Sequence, residues 1–122
     1  MSKNAKLILC VDGHQDSVKF LVEWLRLHKY EVKAATSCAA ALSIVQNNPV
    51  ALSIIDARLG DGVGFDLCKG ILAISPTTKV VIYSGDTRPE IEIRARAAGA
   101  MMFWGKPINL EEITKLVKTL IG

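Results

Sequence analysis

Cysteine is scarce in this chain, long apolar runs are absent from it, and each of these features argues against a class of protein. Its three cysteines, Cys10, Cys38 and Cys68, are odd in number and widely spaced among 122 residues, which disfavours a disulfide framework or a zinc site. Reduced, buried thiols fit better, so we expect a cytoplasmic protein. The apolar run nearest the N-terminus, Leu7 to Val11, is too short for a signal-peptide core or a membrane span, and we expect no membrane association.

The chain also lacks a concentration of charge of one sign. Its 15 Lys and Arg residues against 12 Asp and Glu residues give a formal net charge of +3, and the two signs are interspersed. A nucleic-acid-binding protein usually shows a basic run or stripe, so we expect no direct contact with nucleic acid. With 122 residues, 50% of them apolar, the chain is long enough for one sizeable core but too short for two ordinary domains. We therefore expect one domain over residues 1–122.

Short apolar runs alternate with segments of helical periodicity, a pattern typical of a parallel sheet with crossover helices. The predicted strands are Leu7 to Val11, Glu31 to Ala35, Ala51 to Ile55, Lys79 to Tyr83 and Ala100 to Trp104. The first, third and fourth are almost continuously apolar, as strands covered on both faces require, whereas the second has the character of an edge strand. Right-handed crossovers then predict an α/β fold, a doubly wound, flavodoxin-like, five-stranded parallel sheet of order 2-1-3-4-5 with five helices.

Capping residues indicate where the predicted helices begin and end. The first helix has an apolar stripe that includes Val18, Leu21 and Leu25, and it ends near His28. The other predicted caps and stops are Ser37 for the second helix, Thr87 with Glu90 for the start of the fourth, Gly99 for its end, and Asn109 with Glu112 for the start of the fifth. In such sheets ligands bind beyond the carboxyl ends of the strands, so the functional residues are sought there.

Four polar residues follow predicted strands: Asp12, Asp56, Ser84 and Lys106. The two acids each follow a central strand and offer oxygen ligands for a hard divalent cation such as Mg²⁺. Asp56 could then act as a nucleophile towards a phosphoryl group and form an acyl phosphate. Lys106 and Ser84 would supply an ammonium group and a hydroxyl group to the phosphoryl oxygens.

At these positions the chain resembles the receiver domains of bacterial two-component response regulators, including the chemotaxis regulators. The matching segments, in order along the chain, are ILCVDG, SIIDARLGDGVGFDL, VVIYSGD and AMMFWGKPI. The resemblance implies that Asp56 accepts a phosphoryl group from a phosphohistidine of a sensor kinase or phosphotransfer protein. It further implies that Mg²⁺ is held by Asp12, by Asp56 and by the backbone carbonyl of Arg58.

The same resemblance implies roles for residues near the ends of the last two strands. Ser84 would be the switch hydroxyl, Lys106 the lysine that assists phosphorylation, and Phe103 an aromatic that rotates with the switch. The Lys106–Pro107 peptide bond would be cis. Such a domain catalyses at most its own phosphorylation and dephosphorylation, so we expect no enzyme in the usual sense. Its implied partners are the kinase or phosphotransfer protein and a downstream effector domain or protein, and a homodimer is an open alternative.

Two residues depart from the family's pattern. Gly13 stands where the family usually has a second acid after the first strand, so we expect weaker Mg²⁺ binding, with Mn²⁺ as an alternative ion. The neighbouring His14 offers an imidazole that could replace the missing ligand and favour softer ions. Gly60 stands where a proline is common, which predicts a looser loop after Asp56.

Two other functions remain as alternatives. The missing acid at Gly13 favours a receiver-like module that binds a partner without being phosphorylated, although Asp56, Ser84 and Lys106 together argue against it. A flavodoxin-like or hydrolase-like enzyme is disfavoured because the segment DGHQDS after the first strand places carboxylates where a flavin phosphate needs donors.

Overall fold

The computed structural model describes residues 6–122, so residues 1–5 of the predicted domain lie outside the described residues. Strands and helices alternate along this range. The strands are β1 (Leu7–Val11), β2 (Glu31–Ala35), β3 (Val50–Asp56), β4 (Arg58–Leu59), β5 (Gly62–Val63), β6 (Lys79–Ser84) and β7 (Met102–Gly105). The helices are α1 (Gln15–Leu27), α2 (Cys38–Asn47), α3 (Gly64–Ile74), α4 (Pro89–Ala97) and α5 (Leu110–Ile121). Within the described range no helix is both long and apolar enough to cross a membrane.

Five of the strands form one parallel sheet in the order β2-β1-β3-β6-β7. Counted along the five long strands, this is the predicted order 2-1-3-4-5, and the predicted flavodoxin-like α/β fold is confirmed. The register places Cys10 of β1 between Ala34 of β2 and Ile54 of β3. The predicted edge position of β2 is also confirmed. Because the central strands are covered on both sides, their side chains alternate between two separate cores.

The sheet divides the buried apolar residues into two layers. Leu9 and Ile55 face α2, α3 and α4, whereas Ile8, Leu52 and Ile54 face α1 and α5. Neighbouring residues of one strand thus belong to opposite layers, which is the period-2 alternation of an extended chain. Helices cover both faces of the sheet, whereas loops follow the carboxyl ends of its strands. The candidate functional residues lie at that carboxyl edge.

Most predicted helix ends agree with the structure. Ser37 accepts a hydrogen bond from the Ala40 N–H at 3.1 Å, and Asn109 accepts one from the Glu112 N–H at 3.1 Å. α1 ends at Leu27, next to the predicted His28. Gly99 follows α4 with φ +107°, a left-handed conformation that favours glycine.

Two predicted boundaries are wrong. Thr87 does not cap α4, because the N-cap residue is Arg88, whose N–H donates to the Asp86 carboxylate at 3.2 Å. The acidic side chain of Asp86, two residues before the N-cap, organises this turn instead of a Thr–Glu capping box. The last strand begins at Met102 rather than at Ala100, because the turn that ends α4 extends to that point and only the Met101 N–H reaches the Val80 carbonyl, at 2.7 Å.

Candidate functional site

Four polar residues meet at the carboxyl edge of the sheet, where β1, β3, β6 and β7 end side by side. Asp12 follows β1, Asp56 and Ser84 end β3 and β6, and Lys106 follows β7. Asp12, Asp56 and Ser84 expose only 1%, 4% and 6% of their surface. The strand order therefore gathers the four polar residues that the sequence analysis selected.

The Asp56 carboxylate has one partner on each oxygen. The Arg58 N–H donates to Oδ1 at 3.2 Å, and the Lys106 Nζ donates to Oδ2 at 3.2 Å. Burial raises the pKa of Asp56 above its usual value, the Arg58 N–H and Lys106 counteract this, and the nearby Asp12 carboxylate adds to the increase. The carboxylate is thus kept close to a cation in a pocket that disfavours its charge, and an incoming positive or electrophilic group would relieve this cost.

Asp12 is also held on both carboxylate oxygens. The Tyr83 hydroxyl donates to Oδ2 at 2.6 Å, and the backbone N–H of His14 donates to Oδ1 at 2.8 Å. Burial and the hydrogen bond to Asp12 raise the pKa of Tyr83, so its hydroxyl stays protonated and donates. Sequence reasoning missed Tyr83, although a tyrosine at the end of a buried strand indicates a hydroxyl that needs a partner.

We expect Tyr83→Phe to lower the free energy of unfolding by about 1.5–3 kcal/mol, the usual contribution of a hydrogen bond to a charged group. The variant keeps the aromatic ring and removes only the donor to the Asp12 carboxylate, which is 1% exposed. Urea denaturation at pH 7 measures the change. Tyr30→Phe, at the chain's other tyrosine, is the matched control. An equal stability of the two variants would show that the Tyr83 hydroxyl does not anchor Asp12.

Lys106 is positioned by its backbone and by its side chain. Its N–H donates to the Ser84 carbonyl at 2.9 Å, and its Nζ lies 5.0 Å from the centroid of the Tyr83 ring as well as beside Asp56. The Lys106–Pro107 bond is cis, which confirms the prediction. The side chain is 35% exposed, so its positive charge faces both the buried carboxylate and any group that enters from solvent.

The possible metal-ligand atoms at the carboxyl edge of the sheet have a spacing that fits a divalent cation. Ligand atoms of Asp12, His14 and Asp56 all lie within 4.8 Å of one another, and within residues 6–122 no other group of three His, Cys, Asp or Glu side chains does so. A Cβ built on Gly13 would lie 4.0 Å from the Arg58 carbonyl oxygen, with no atom closer than 3.8 Å. The Arg58 carbonyl thus lies beside the residue that follows Asp12, and the Asp12 and Asp56 carboxylates lie close together, an arrangement that suits an oxygen-bound ion.

A short antiparallel hairpin of β4 and β5 follows Asp56, and the sequence did not predict it. Asp61 in its turn accepts hydrogen bonds from the Cys38 N–H at 2.8 Å and from the Ala39 N–H at 3.2 Å, so the hairpin is joined to the start of α2. The turn of the hairpin is thereby held against the start of α2. The looser loop predicted from Gly60 stays a prediction.

Gly64 packs directly against the backbone of the strand end that carries Asp56. A Cβ built on Gly64 would clash with the Asp56 carbonyl oxygen and would lie 2.9 Å from the Ala57 Cα. We therefore expect Gly64→Ala to destabilise the fold by about 1–3 kcal/mol, the usual cost of overpacking. The matched control is Gly60→Ala, where a Cβ would meet nothing within 4 Å. Thermal or urea unfolding of the two variants checks this, and a Gly64→Ala variant as stable as Gly60→Ala would contradict it.

Comparison with known proteins identifies the family. The family model described as the response regulator receiver domain matches residues 8–118. The chain belongs to this family. Its receiver fold and its place among two-component signalling proteins, both expected from the sequence, are thus confirmed. As a receiver domain it is a signalling module.

Its relatives are bacterial regulators longer than this receiver domain. Response regulator protein PilR of Pseudomonas aeruginosa is 31% identical over 99% of this chain and 27% of its own length. Photosynthetic apparatus regulatory protein RegA of Cereibacter sphaeroides is 27% identical over 88% of this chain and 58% of its own length. The chain therefore spans between about a quarter and just over half of these relatives.

Solved structures of similar proteins share the fold of this receiver domain. A two-component response regulator from Clostridium difficile superposes with a TM-score of 0.90 at 27% identity, covering 94% of both chains. A CheY-like receiver domain protein from Methanospirillum hungatei gives a TM-score of 0.89 at 25% identity, covering 95% of this chain and 93% of the other. The sheet order and the helix placement are therefore those of receiver domains.

The two remaining predicted residues are Ser84 and Phe103. Among the described residues, the Ser84 hydroxyl makes no hydrogen bond to Asp56. The Ser84 hydroxyl accepts from the Asp86 N–H at 3.0 Å. Hydrogen bonds from the side chain and N–H of Arg88 lower the pKa of Asp86 to about 2, so this turn carries a firmly ionised pair. Phe103 packs at the margin of the buried layer under α2, α3 and α4.

Proposed function

We propose that this receiver domain accepts a phosphoryl group on Asp56 from a phosphohistidine of a histidine kinase or phosphotransfer protein. The observation that carries the proposal is the Asp56 carboxylate itself, which is buried, disfavoured as a charge, and 3.2 Å from the ammonium group of Lys106. No such arrangement is required by the fold, because apolar residues of similar size would stabilise a strand end better.

The transfer forms one bond and breaks another. A carboxylate oxygen of Asp56 attacks the phosphorus, the P–N bond to the donor imidazole breaks, and its electron pair returns to the imidazole nitrogen. The product is an acyl phosphate with about 1.5–2 negative charges at neutral pH. Lys106, already beside Asp56 and partly open to solvent, supplies a positive charge to the phosphoryl oxygens.

Asp12, Asp56 and the Arg58 carbonyl are the groups that would hold Mg²⁺, which supplies positive charge opposite the transferred phosphoryl group. Tyr83 and the His14 N–H keep the Asp12 carboxylate in place for this task, each through one hydrogen bond. With Gly13 in place of an acid, the chain itself provides only two carboxylates, so we expect the ion to bind weakly.

The switch would use the turn between β6 and α4. Ser84 holds this turn through the Asp86 N–H, and Arg88 joins Asp86 to the start of α4. A phosphoryl group on Asp56 would accept a hydrogen bond from the Ser84 hydroxyl and draw that side chain away from the Asp86 N–H. This shifts the turn and, with Phe103 turning inward, alters the surface of α4, β7 and α5. Ile93 of α4 is 67% exposed and Met101, in the turn before β7, is 45% exposed, and these apolar side chains support the use of that surface as a contact for an effector.

The phosphodonor would approach from the side of α1. A groove of about 550 Å³ connects Asp12 and Lys106 with Phe20, Pro107 and Ile108, and the Phe20 side chain is 71% exposed. An apolar rim beside the reacting carboxylate suits a protein donor better than a small polar molecule. We further propose a cytoplasmic location, an effector domain or protein as the recipient of the signal, and no contact with nucleic acid.

A second function is a receiver-like module that binds its partner without phosphorylation. Gly13 favours it, since the site has one carboxylate fewer than the family's usual pair supplies. The Tyr83 hydroxyl favours it too, because a proton donor on Asp12 Oδ2 at 2.6 Å competes with a metal for that oxygen.

Intact-mass spectrometry after incubation with acetyl phosphate separates the two functions. We expect a gain of one phosphoryl group in the presence of Mg²⁺ and none when the ion is chelated. A folded protein that gains no mass at any Mg²⁺ concentration would support the module that acts without phosphorylation.

A further inference from the structure

We infer that His14 joins Asp12 and Asp56 in a mixed imidazole and carboxylate site that prefers divalent transition ions, such as Co²⁺, Mn²⁺ and Zn²⁺, to Mg²⁺. The inference concerns the same pocket as the proposed function and deepens it by naming the class of ion. It departs from the all-oxygen ligand set that the family's pattern implies for this pocket.

The position of the His14 ring is the first step of the argument. His14 is the N-cap residue of α1, yet its side chain makes no capping hydrogen bond to the helix. Its Nδ1 instead lies 3.4 Å from Oδ1 of Asp12, although the side chain is 78% exposed. The ring nitrogen thus lies beside the Asp12 carboxylate, at a position where Ser, Thr, Asp or Asn would usually cap the helix.

The spacing of the ligand atoms is the second step. Two ligands about 2.1 Å from an ion and at right angles to each other are about 3.0 Å apart, and two on opposite sides are about 4.2 Å apart. The 3.4 Å between His14 and Asp12, and the 4.8 Å limit for the three residues together, are close to these separations. Because the 4.8 Å limit is somewhat longer than the larger separation, a small rearrangement of these side chains would be needed to bring the three atoms to one ion.

The orientation of Asp12 is the third step. Each Asp12 oxygen accepts one hydrogen bond, Oδ2 from the buried Tyr83 hydroxyl and Oδ1 from the His14 N–H, and each keeps a second lone pair for an ion. Oδ1 is the oxygen beside the imidazole. Asp12 therefore presents to the pocket the same oxygen that His14 approaches, and its rotation away is opposed by a 2.6 Å hydrogen bond.

Ligand chemistry then decides which ion binds. Gly13 provides no side-chain ligand, so an imidazole nitrogen stands in for a negatively charged oxygen. Mg²⁺ requires hard oxygen ligands and gains little from a neutral nitrogen, whereas imidazole binds first-row transition ions well and the later ones most strongly. The exchange of a carboxylate for an imidazole thus shifts the selectivity of the pocket from Mg²⁺ towards these ions.

Titration with Co²⁺, followed by its visible absorption and by calorimetry, tests the inference in parallel with Mg²⁺ titration. We expect His14→Ala to weaken Co²⁺ binding by at least about tenfold, since even an indirect support of a ligand usually accounts for that much. The Mg²⁺ affinity should change much less. His28→Ala is the matched control, because the chain's other histidine packs against Trp24 at the far end of α1, with the two rings tilted by 43°.

Three results would overturn the inference: equal Co²⁺ affinity of wild type and His14→Ala, equal losses for Co²⁺ and Mg²⁺ in that variant, or no loss of Co²⁺ binding in Asp56→Asn. Circular dichroism of each variant confirms that it is folded. The proposed function is tested separately by the mass gain of the wild type with Mg²⁺. A failure of phosphorylation therefore leaves the Co²⁺ result standing, and a failure of Co²⁺ binding leaves phosphorylation standing.

Discussion

Asp56→Asn is expected to abolish phosphorylation and, at the same time, to stabilise the folded protein at neutral pH. The first effect follows because an amide cannot act as the nucleophile that the carboxylate provides. The second follows because burial raises the pKa of Asp56 in the folded state, even though the Arg58 N–H and Lys106 oppose the shift. A raised pKa means that the folded protein disfavours the ionised carboxylate, and a neutral amide of the same shape avoids this cost.

The stability gain has a definite pH dependence. A carboxyl group whose pKa is higher in the folded than in the unfolded chain makes the fold less stable as the pH rises from its unfolded value, about 3.9, through its raised folded value. Below that window Asp56 is protonated in both states, and the wild type loses this disadvantage. The difference between Asp56→Asn and wild type should therefore be largest near pH 7 and shrink towards pH 3.

Urea denaturation of both proteins across this pH range measures the effect. Asp16→Asn is the matched control, because Asp16 is an exposed carboxylate in the first turn of α1 and should gain nothing from the exchange. If Asp56→Asn proved less stable than wild type at pH 7, the Lys106 ion pair would outweigh the burial of the charge, and the electrostatic description of the site would be wrong.

Gly13→Asp is expected to strengthen Mg²⁺ binding by at least about tenfold, the equivalent of about 1.4 kcal/mol. The space exists, since a Cβ on Gly13 would have ordinary contacts of 3.8 Å to the Gly60 nitrogen and 4.0 Å to the Arg58 carbonyl oxygen. The new carboxylate would lie beside two buried acids, so without Mg²⁺ the variant should also be less stable than wild type. Its stability should then depend on Mg²⁺ more steeply than that of the wild type.

Calorimetric titration with Mg²⁺ provides the measurement, and Gly13→Asn separates charge from shape. The asparagine variant fills the same space without the negative charge and should bind Mg²⁺ much more weakly than Gly13→Asp. An unchanged Mg²⁺ affinity in Gly13→Asp would refute the view that one missing carboxylate is what weakens this site.

The fold was predictable because its signals are local and redundant. Leu7–Val11 and Glu31–Ala35 have the same bounds in the structure as in the prediction, since each is an apolar or alternating run between turn residues. Ser37 and Asn109 cap their helices as predicted, because a cap needs only one side-chain oxygen and a backbone N–H three residues later.

The errors come from contacts that the local sequence does not contain. Thr87 is not the N-cap of α4, because the Arg88 side chain pairs with Asp86 and Arg88 takes that position. Capping propensities alone do not indicate this pairing. The β4–β5 hairpin consists of two-residue strands, too short for any periodicity, and Asp61 fastens it to α2, more than twenty residues away in the chain.

The same distinction applies to the candidate site. That Asp12, Asp56 and Lys106 lie together could be predicted because the carboxyl ends of parallel strands must meet at one edge. The contact of Tyr83 with Asp12 joins residues 71 positions apart on strands that are not neighbours in the sheet, so it depends on the packing of β1, β3 and β6. The alternative role of His14 in metal binding could be raised from sequence, but only its 3.4 Å approach to Asp12 gives it a geometric basis.

The central claim is that Asp56 is the phosphoacceptor, and locating the modified residue tests it most directly. The wild type is treated with acetyl phosphate and Mg²⁺, quenched in acid, and fragmented in the mass spectrometer. We expect the added phosphoryl group on fragments that contain Asp56 and on none that end before it. A phosphoryl group confined to another carboxylate, such as that of Asp12 or Asp61, would contradict the claim.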